Sequence, residues 1–361
     1  MIVRKERRGV LAAGLVAILA AVSPASATGE APVAATPASG AASGTNAAVT
    51  DLMLPGAPGD GLTLDYLAVD RGRKRVWVPA AGTGKVVVID ADTRAVHAIE
   101  GFKTAEVERN GRKRIVGPSS ATIGDGVVYV GNRADSSVCA IDAATLARGG
   151  CITLDSPPDG VAYIASKKEV WVTTPRDQSI TVLDVASPKA PKAAGRIALE
   201  GDPEGYAVDD AGRFFFTNYE DKDKTLRIST ATRKVTATWE PRCGEAGPRG
   251  LALNDDRRFL VVACTDHLQV LAAADGQALG SLPTGAGVDN LDFLPSRHAV
   301  YAAASGAATL TVATLDDKGA LRATAPVPTA KGARNAVVTD DGTVWIADGP
   351  EGKVLVVRSG S

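Results

Sequence analysis

Charged and polar residues stand at the head of seven similar stretches of this chain: Asp65, Ser119 with Ser120, Asp159, Glu204, Arg249, Asp289 and Arg334. Each precedes or opens a short apolar run such as Val161-Ala162-Tyr163-Ile164-Ala165 or Leu251-Ala252-Leu253-Asn254. Four carboxylates and two guanidiniums recurring at one position can hold a hard cation, grip a polar ligand, or solvate an opening. A second series follows the next apolar run of each unit: Asn132, Arg133, Thr174, Arg176, Asn218, Tyr219, Glu220, Asp266, His267 and Asp348. Tyr219 and His267 pair an apolar body with a polar tip and suit gripping a ligand, whereas Asn132 and Asn218 also suit a strand-end turn. No G-x-S-x-G, H-E-x-x-H or Gly-rich phosphate loop occurs, so the sequence nominates no nucleophile.

The elements that must position these residues are repeats. Val127–Thr145 reads as an apolar strand, a polar turn, a second strand and a closing Asp142, and it has cousins at Arg75–Thr93, Glu169–Ser187 and Thr343–Gly360, with a looser copy at Phe214–Thr232. The short apolar runs begin near Leu64, Ser119, Gly160, Gly205, Gly250, Asn290 and Asn335, at spacings of 55, 41, 45, 45, 40 and 45 residues. That is the period of a four-stranded propeller blade. The expected fold is all-β: a seven-bladed β-propeller with the polar series on one face, at the mouth of a central channel. His97 then falls on an outer strand and His298 in a turn on the opposite face, which leaves His267 alone. Asp90, Asp142 and Asp184 sit at turns to the outer strands and are read as backbone caps rather than acids.

The last unit supplies three strands before Ser361, and Val49–Leu54 can supply the fourth from the other end of the chain, sewing the ring shut. The long first spacing contains Glu106–Ile115, which alternates around Asn110-Gly111 and is expected to form a projecting hairpin with a basic tip, able to meet an acidic partner.

Residues 1–27 read as a signal peptide: Arg4, Lys5, Arg7 and Arg8, then an apolar run from Gly9 to Val22, then Ala25-Ser26-Ala27. Residues 28–47 are rich in Ala, Pro, Ser and Gly and read as a flexible linker, leaving 48–361 as the propeller. The expected location is periplasmic or secreted, with no transmembrane segment in the mature chain. The 361 residues carry a formal charge of −1; the leader accounts for four bases and one acid, so the remainder carries −4. That balance predicts no nucleic-acid binding. In an exported chain four cysteines predict disulfides, Cys139–Cys151 across neighbouring strands and Cys243–Cys264 between an inner-strand approach and the next strand.

Tyr129-Val130-Gly131-Asn132, Phe216-Thr217-Asn218 and Val86–Asp90 resemble the YVTN β-propeller repeat, and the resemblance extends over residues 50–358. It implies seven blades and a binding role through the channel face, for a small molecule or an envelope protein, by a monomer. The site residues expected on that reading are Asp65, Asp159, Glu204, Arg249, Asp289, Arg334, Asn218, Tyr219 and His267. Pro158-Asp159-Gly160-Val161-Ala162 and Asp202-Pro203-Glu204-Gly205 are similar to elements of the gluconolactonase (senescence-marker) group. This second resemblance implies a metal-dependent lactonase, with Asp65, Asp159, Glu204 and Asp289 holding a divalent cation such as Ca²⁺, although Asp159 stands where that group carries a metal-binding Asn. Asp341-Gly342-Thr343-Val344-Trp345 is also shared with streptogramin-lyase-like propellers.

Overall fold

The computed structural model describes residues 47–109 and 111–358. The signal-peptide reading of 1–27 and all but the last residue of the 28–47 linker lie outside the described residues, as does Asn110 at the hairpin tip. Seven four-stranded antiparallel blades form the ring, and among the described residues there is no α-helix, only short 3-10 turns. Inner strands run Ala68–Asp70, Pro118–Gly124, Val161–Ile164, Pro203–Val208, Pro248–Asn254, Val288–Leu294 and Arg334–Val338. In blade 6 the outer strand is broken into Leu321–Ala323 and Val327–Pro328, both paired with Thr309–Leu315.

Second and third strands are covered on both faces by neighbouring blades, so they read as unbroken apolar runs: Val76 to Ala80 and Val86 to Ile89 are all buried. Outer strands such as Lys192–Ala198 and Lys234–Trp239 are mostly exposed, and Lys, Arg and Thr interrupt their apolar residues. Seven apolar clusters occupy the seams between blades. The third residue of the second strand in blades 1 to 6, and the second residue in blade 7, fills the seam toward the next blade: Trp77, Tyr129, Trp171, Phe216, Val261, Tyr301 and Trp345, six of them aromatic and each at most 3% exposed. Large rings suit this place because a radial stack of twisted sheets leaves a wedge that small side chains leave open.

The seventh blade closes as expected. Ala48–Met53 pairs antiparallel with Lys353–Arg358 in unbroken register from Ala48↔Arg358 to Met53↔Lys353. Leu54 continues it, donating its N–H to the Gly352 carbonyl at 3.0 Å and burying its side chain in the seam between blades 7 and 1. Both expected disulfides are present. The hairpin forms from Ala105–Arg109 and Arg112–Val116. Asp90, Asp142 and Asp184 accept backbone N–H bonds from the turns that follow them.

Blade 1 departs from the expected start near Leu64, since its inner strand begins only at Ala68. The preceding residues pair with the next blade instead. Tyr66 N–H donates to the Ser119 carbonyl at 3.0 Å, and Tyr66 makes a parallel bridge to Ser120. This detour carries the Tyr66 ring to the channel axis, where it stacks on Tyr206 with centroids 5.9 Å apart.

Candidate functional site

The mouth is shaped by a break in strand register. In blades 2, 4, 5, 6 and 7 the ladder between the first two strands shifts at its mouth end, as between Glu204 and Tyr206 or Arg334 and Ala336. A bulge re-aims the side chain beside it, and here Glu204, Arg249, Asp289 and Arg334 all stand next to one. Gly205 sits at φ +65°, and a Cβ there would lie 2.6 Å from Gly250 Cα, so the bulge of blade 4 requires glycine. Asn335 adopts φ +59°, and its Nδ2 donates to the Asp65 carbonyl at 3.1 Å and to Asp65 Oδ1 at 3.2 Å. Its Oδ1 accepts the Asn290 N–H, so one side chain ties blades 6, 7 and 1 around the opening.

The mouth encloses a cavity of about 550 Å³, and Asp65, Asp159, Glu204, Arg249, Asp289 and Arg334 line it together. Arg133, Arg176, Asp202 and Glu220 join from the surrounding loops, and Glu108 and Arg114 reach in from the hairpin. The hairpin is therefore part of the mouth, a placement that its sequence does not disclose.

Most of these charges are paired with one another. Arg133 Nη2 bridges Asp65 Oδ2 at 2.7 Å and Asp159 Oδ1. Arg334 Nη1 meets Asp289 Oδ2 at 3.0 Å, and Arg249 Nη1 meets Glu220 Oε2. Tyr66 Oη donates to Glu204 Oε1 at 2.7 Å and accepts the Gly205 N–H at 3.1 Å. Tyr66 and Tyr206 also line a second cavity of about 330 Å³ on the far side of the channel, with Arg71 and Asp292.

Burial sets the electrostatics. It pushes the Glu204 carboxyl well above its usual range, and the carboxylates of Asp159, Asp289 and Asp65 push it further. Asp159 is pushed up to about 6, by burial first, with the Arg133 guanidinium pulling the other way. Asp289 also rises through burial, against the pull of Arg334. Carboxyls shifted in this direction hold protons at pH values where exposed ones have lost them.

Other residues of the two sequence series lie apart from this cavity. Asn218 is buried, donating to the Arg249 carbonyl at 2.5 Å and accepting from Thr225 Oγ1 at 2.7 Å. Tyr219 is buried, and its Oη accepts the Glu200 N–H at 2.9 Å. His267 Nδ1 lies 2.6 Å from Asp266 Oδ1. Asn132 caps its own turn and donates to the Lys103 carbonyl. Asp348 is fully buried, 3.8 Å from Lys353 Nζ.

The lactonase-type reading asks Asp65, Asp159, Glu204 and Asp289 to share a metal ion. Among the described residues no three His, Cys, Asp or Glu side chains stand close enough for that. The physical reason is visible: Arg133 occupies the space that a cation shared by Asp65 and Asp159 would take, and Arg334 is bound to Asp289. The donors do not fit a divalent ion. Beside the hairpin residues Glu108 and Arg114, Tyr66 is a further residue that no sequence motif marks; it lines the second cavity and reaches the mouth through its bond to Glu204, and its one signal is its place directly after Asp65.

No family model matches the chain, and no curated protein sequence does. Among solved structures, a chain of hydrazine synthase from Kuenenia stuttgartiensis is similar at 15% identity and a TM-score of 0.68, over 83% of this chain and 97% of that one. Virginiamycin B lyase from Staphylococcus aureus is similar at 14% identity and 0.66, over 86% and 99%. A chain of the mitotic checkpoint complex follows at 15% and 0.67, over 86% and 93%. These likenesses show the β-propeller fold.

Proposed function

We propose that this chain is an exported, YVTN-like β-propeller that holds a small charged ligand in the mouth of its channel. One observation carries the reading. Every blade contributes a charged side chain to a single cavity, from Asp65 in blade 1, through Arg133, Asp159, Glu204, Arg249 and Asp289, to Arg334 in blade 7. Guanidiniums already held by carboxylates lose little freedom when a ligand arrives, so the site is built before it is filled. Two disulfides suit an oxidising compartment and support export, as does the leader-like composition of residues 1–27. Among the described residues no helix is long and apolar enough to cross a membrane.

The test is a thermal-shift series on the purified exported chain against dicarboxylates, amines and amino acids. A ligand at a hundred times its dissociation constant stabilises the folded state by about 2.7 kcal/mol, a readily measured shift. The shift should vanish in an Arg249→Met, Glu220→Gln double variant, which removes one rim pair together. Shifts that survive this variant and the Asp159→Asn change place the ligand elsewhere and overturn the reading.

A further inference from the structure

The mouth has more acid than base. Seven carboxyl side chains line it against five guanidiniums. Pairing within the site uses one of these buried acids only in part. Asp159 gives Oδ1 to Arg133, but its Oδ2 is buried with no hydrogen-bond partner among the described residues, in a side chain that lines the cavity and is only 8% exposed as a residue. A buried carboxylate oxygen left bare in this way is costly, and a donor from outside the protein is the direct remedy. Glu204, whose Oε1 is taken by Tyr66, lies within electrostatic reach of Asp159 and lines the same cavity.

We infer that the channel mouth is a receptor for a small aliphatic diamine, with one ammonium group seated on Asp159 and Glu204 and the second answering the remaining surplus of acid. This deepens the reading of the mouth as a ligand site and rests on it. An ammonium suits the floor where a metal ion does not. It brings three N–H donors, forms hydrogen bonds at about 2.8 Å, and needs no closed shell of six or more oxygens at about 2.4 Å. Carboxylates separated by the Arg133 and Arg334 guanidiniums cannot close such a shell, yet each can accept a single N–H.

Protons are the competitor. Asp65, Asp289 and Glu220 face Glu204 and Asp159 with like charge, while Arg133, Arg334 and Arg249 oppose them, and Tyr66 donates to Glu204. The upward shift of Asp159, to about 6, means that this carboxyl takes up a proton in the mildly acid range when the mouth is empty, and Glu204, shifted in the same direction, holds a proton beyond the usual carboxylate range. Diamine binding must release them, so it should weaken as the pH falls.

The experiment is calorimetric titration of the purified exported chain with 1,4-diaminobutane, butylamine, succinate and calcium chloride at low salt. The expected result is diamine binding about tenfold tighter than butylamine, weaker by about tenfold or more in Asp159→Asn and weaker at pH 5.5 than at pH 7.5. Glu204→Gln is the second variant, and each variant is used only if its melting transition remains cooperative. No diamine binding, or binding unchanged in both folded variants, overturns the diamine assignment, and calcium binding abolished by Asp159→Asn does the same. Succinate binding without diamine binding overturns this inference and leaves the ligand-site reading standing, whereas silence from every compound in this and the thermal-shift series removes both.

Discussion

Asp159 has one oxygen in a buried ion pair and one with no hydrogen-bond partner among the described residues, and the balance between them decides how the mouth responds to pH. Burial raises its carboxyl from 3.8 to about 6, so the folded chain keeps that proton over a range where the unfolded chain has lost it. The stability this group adds is therefore fully present below its unfolded value of 3.8 and is lost as the pH climbs from there through about 6. Glu204 and Asp289 shift in the same direction. Asp142, held well below the carboxylate range by Lys189 and the Thr145 N–H, acts only in much stronger acid. Urea midpoints measured from about pH 5 to about pH 7.5 should fall with rising pH, with a shallower slope in Asp159→Asn. A flat profile in the parent chain would show that the mouth is not desolvated. The sequence placed Asp159 and Glu204 at the opening from repeat spacing alone. It was silent on the bare Oδ2, because that depends on where Arg133 from the neighbouring blade ends up.

Elements do their work here through small irregularities in a regular plan. The bulges at the heads of the inner strands turn charged side chains toward the axis, and the Tyr66 detour onto Ser119 gives the channel its stacked tyrosines. Cys243 lies outside any strand, just before the inner strand of blade 5, and its bond to fully buried Cys264 ties that approach to the sheet. The bond closes a loop of sequence separation 21, and replacing both cysteines by alanine should lower unfolding free energy by about 3 kcal/mol in chemical denaturation. Loss below about 1 kcal/mol would mean that the approach is held by its packing and by the Asp223 carboxylate, which accepts the Cys243 N–H at 3.0 Å. Strand pairing and both disulfides were legible beforehand, since cysteine positions in a repeat translate directly into neighbouring strands. The hairpin was legible as a hairpin, yet not as part of the mouth, because alternation and Asn-Gly define a turn and say nothing about the direction in which it leans.

At the scale of the whole molecule, seven blades are held by seven seams, and a ring has no free edge only while its last sheet is complete. Ala48–Met53 supplies that completion, with Leu54 buried behind it and Lys353 meeting Asp51 at 2.9 Å. Deleting residues 48–56 removes a full strand of backbone pairing and uncovers an apolar edge. The melting temperature should drop by about 10 °C or more, taking each lost hydrogen bond as roughly 1 kcal/mol. An unchanged melt would show that closure is dispensable and that the seam between blades 7 and 1 suffices.

By itself the amino-acid order determined the blade count, the borrowed closing strand, the cysteine partners and the placing of six charged residues at or before the inner strands, from Asp65 to Arg334, around one cavity, while Asn218, Tyr219 and His267 fell outside it. All of these follow from short-range periodicity: alternating apolar residues make strands, turn residues end them, and a repeat of about 45 residues stacks them radially. Only the tertiary structure decided which charges meet. Arg133 in blade 2 reaches Asp65 of blade 1 and Asp159 of blade 3, and Tyr66 of blade 1 reaches Glu204 of blade 4. Those partners are 68, 26 and 138 residues apart in sequence. Their meeting depends on bulges and loop paths that bring distant segments to one axis, and no local pattern encodes a contact between side chains whose separation is set by the closure of the ring.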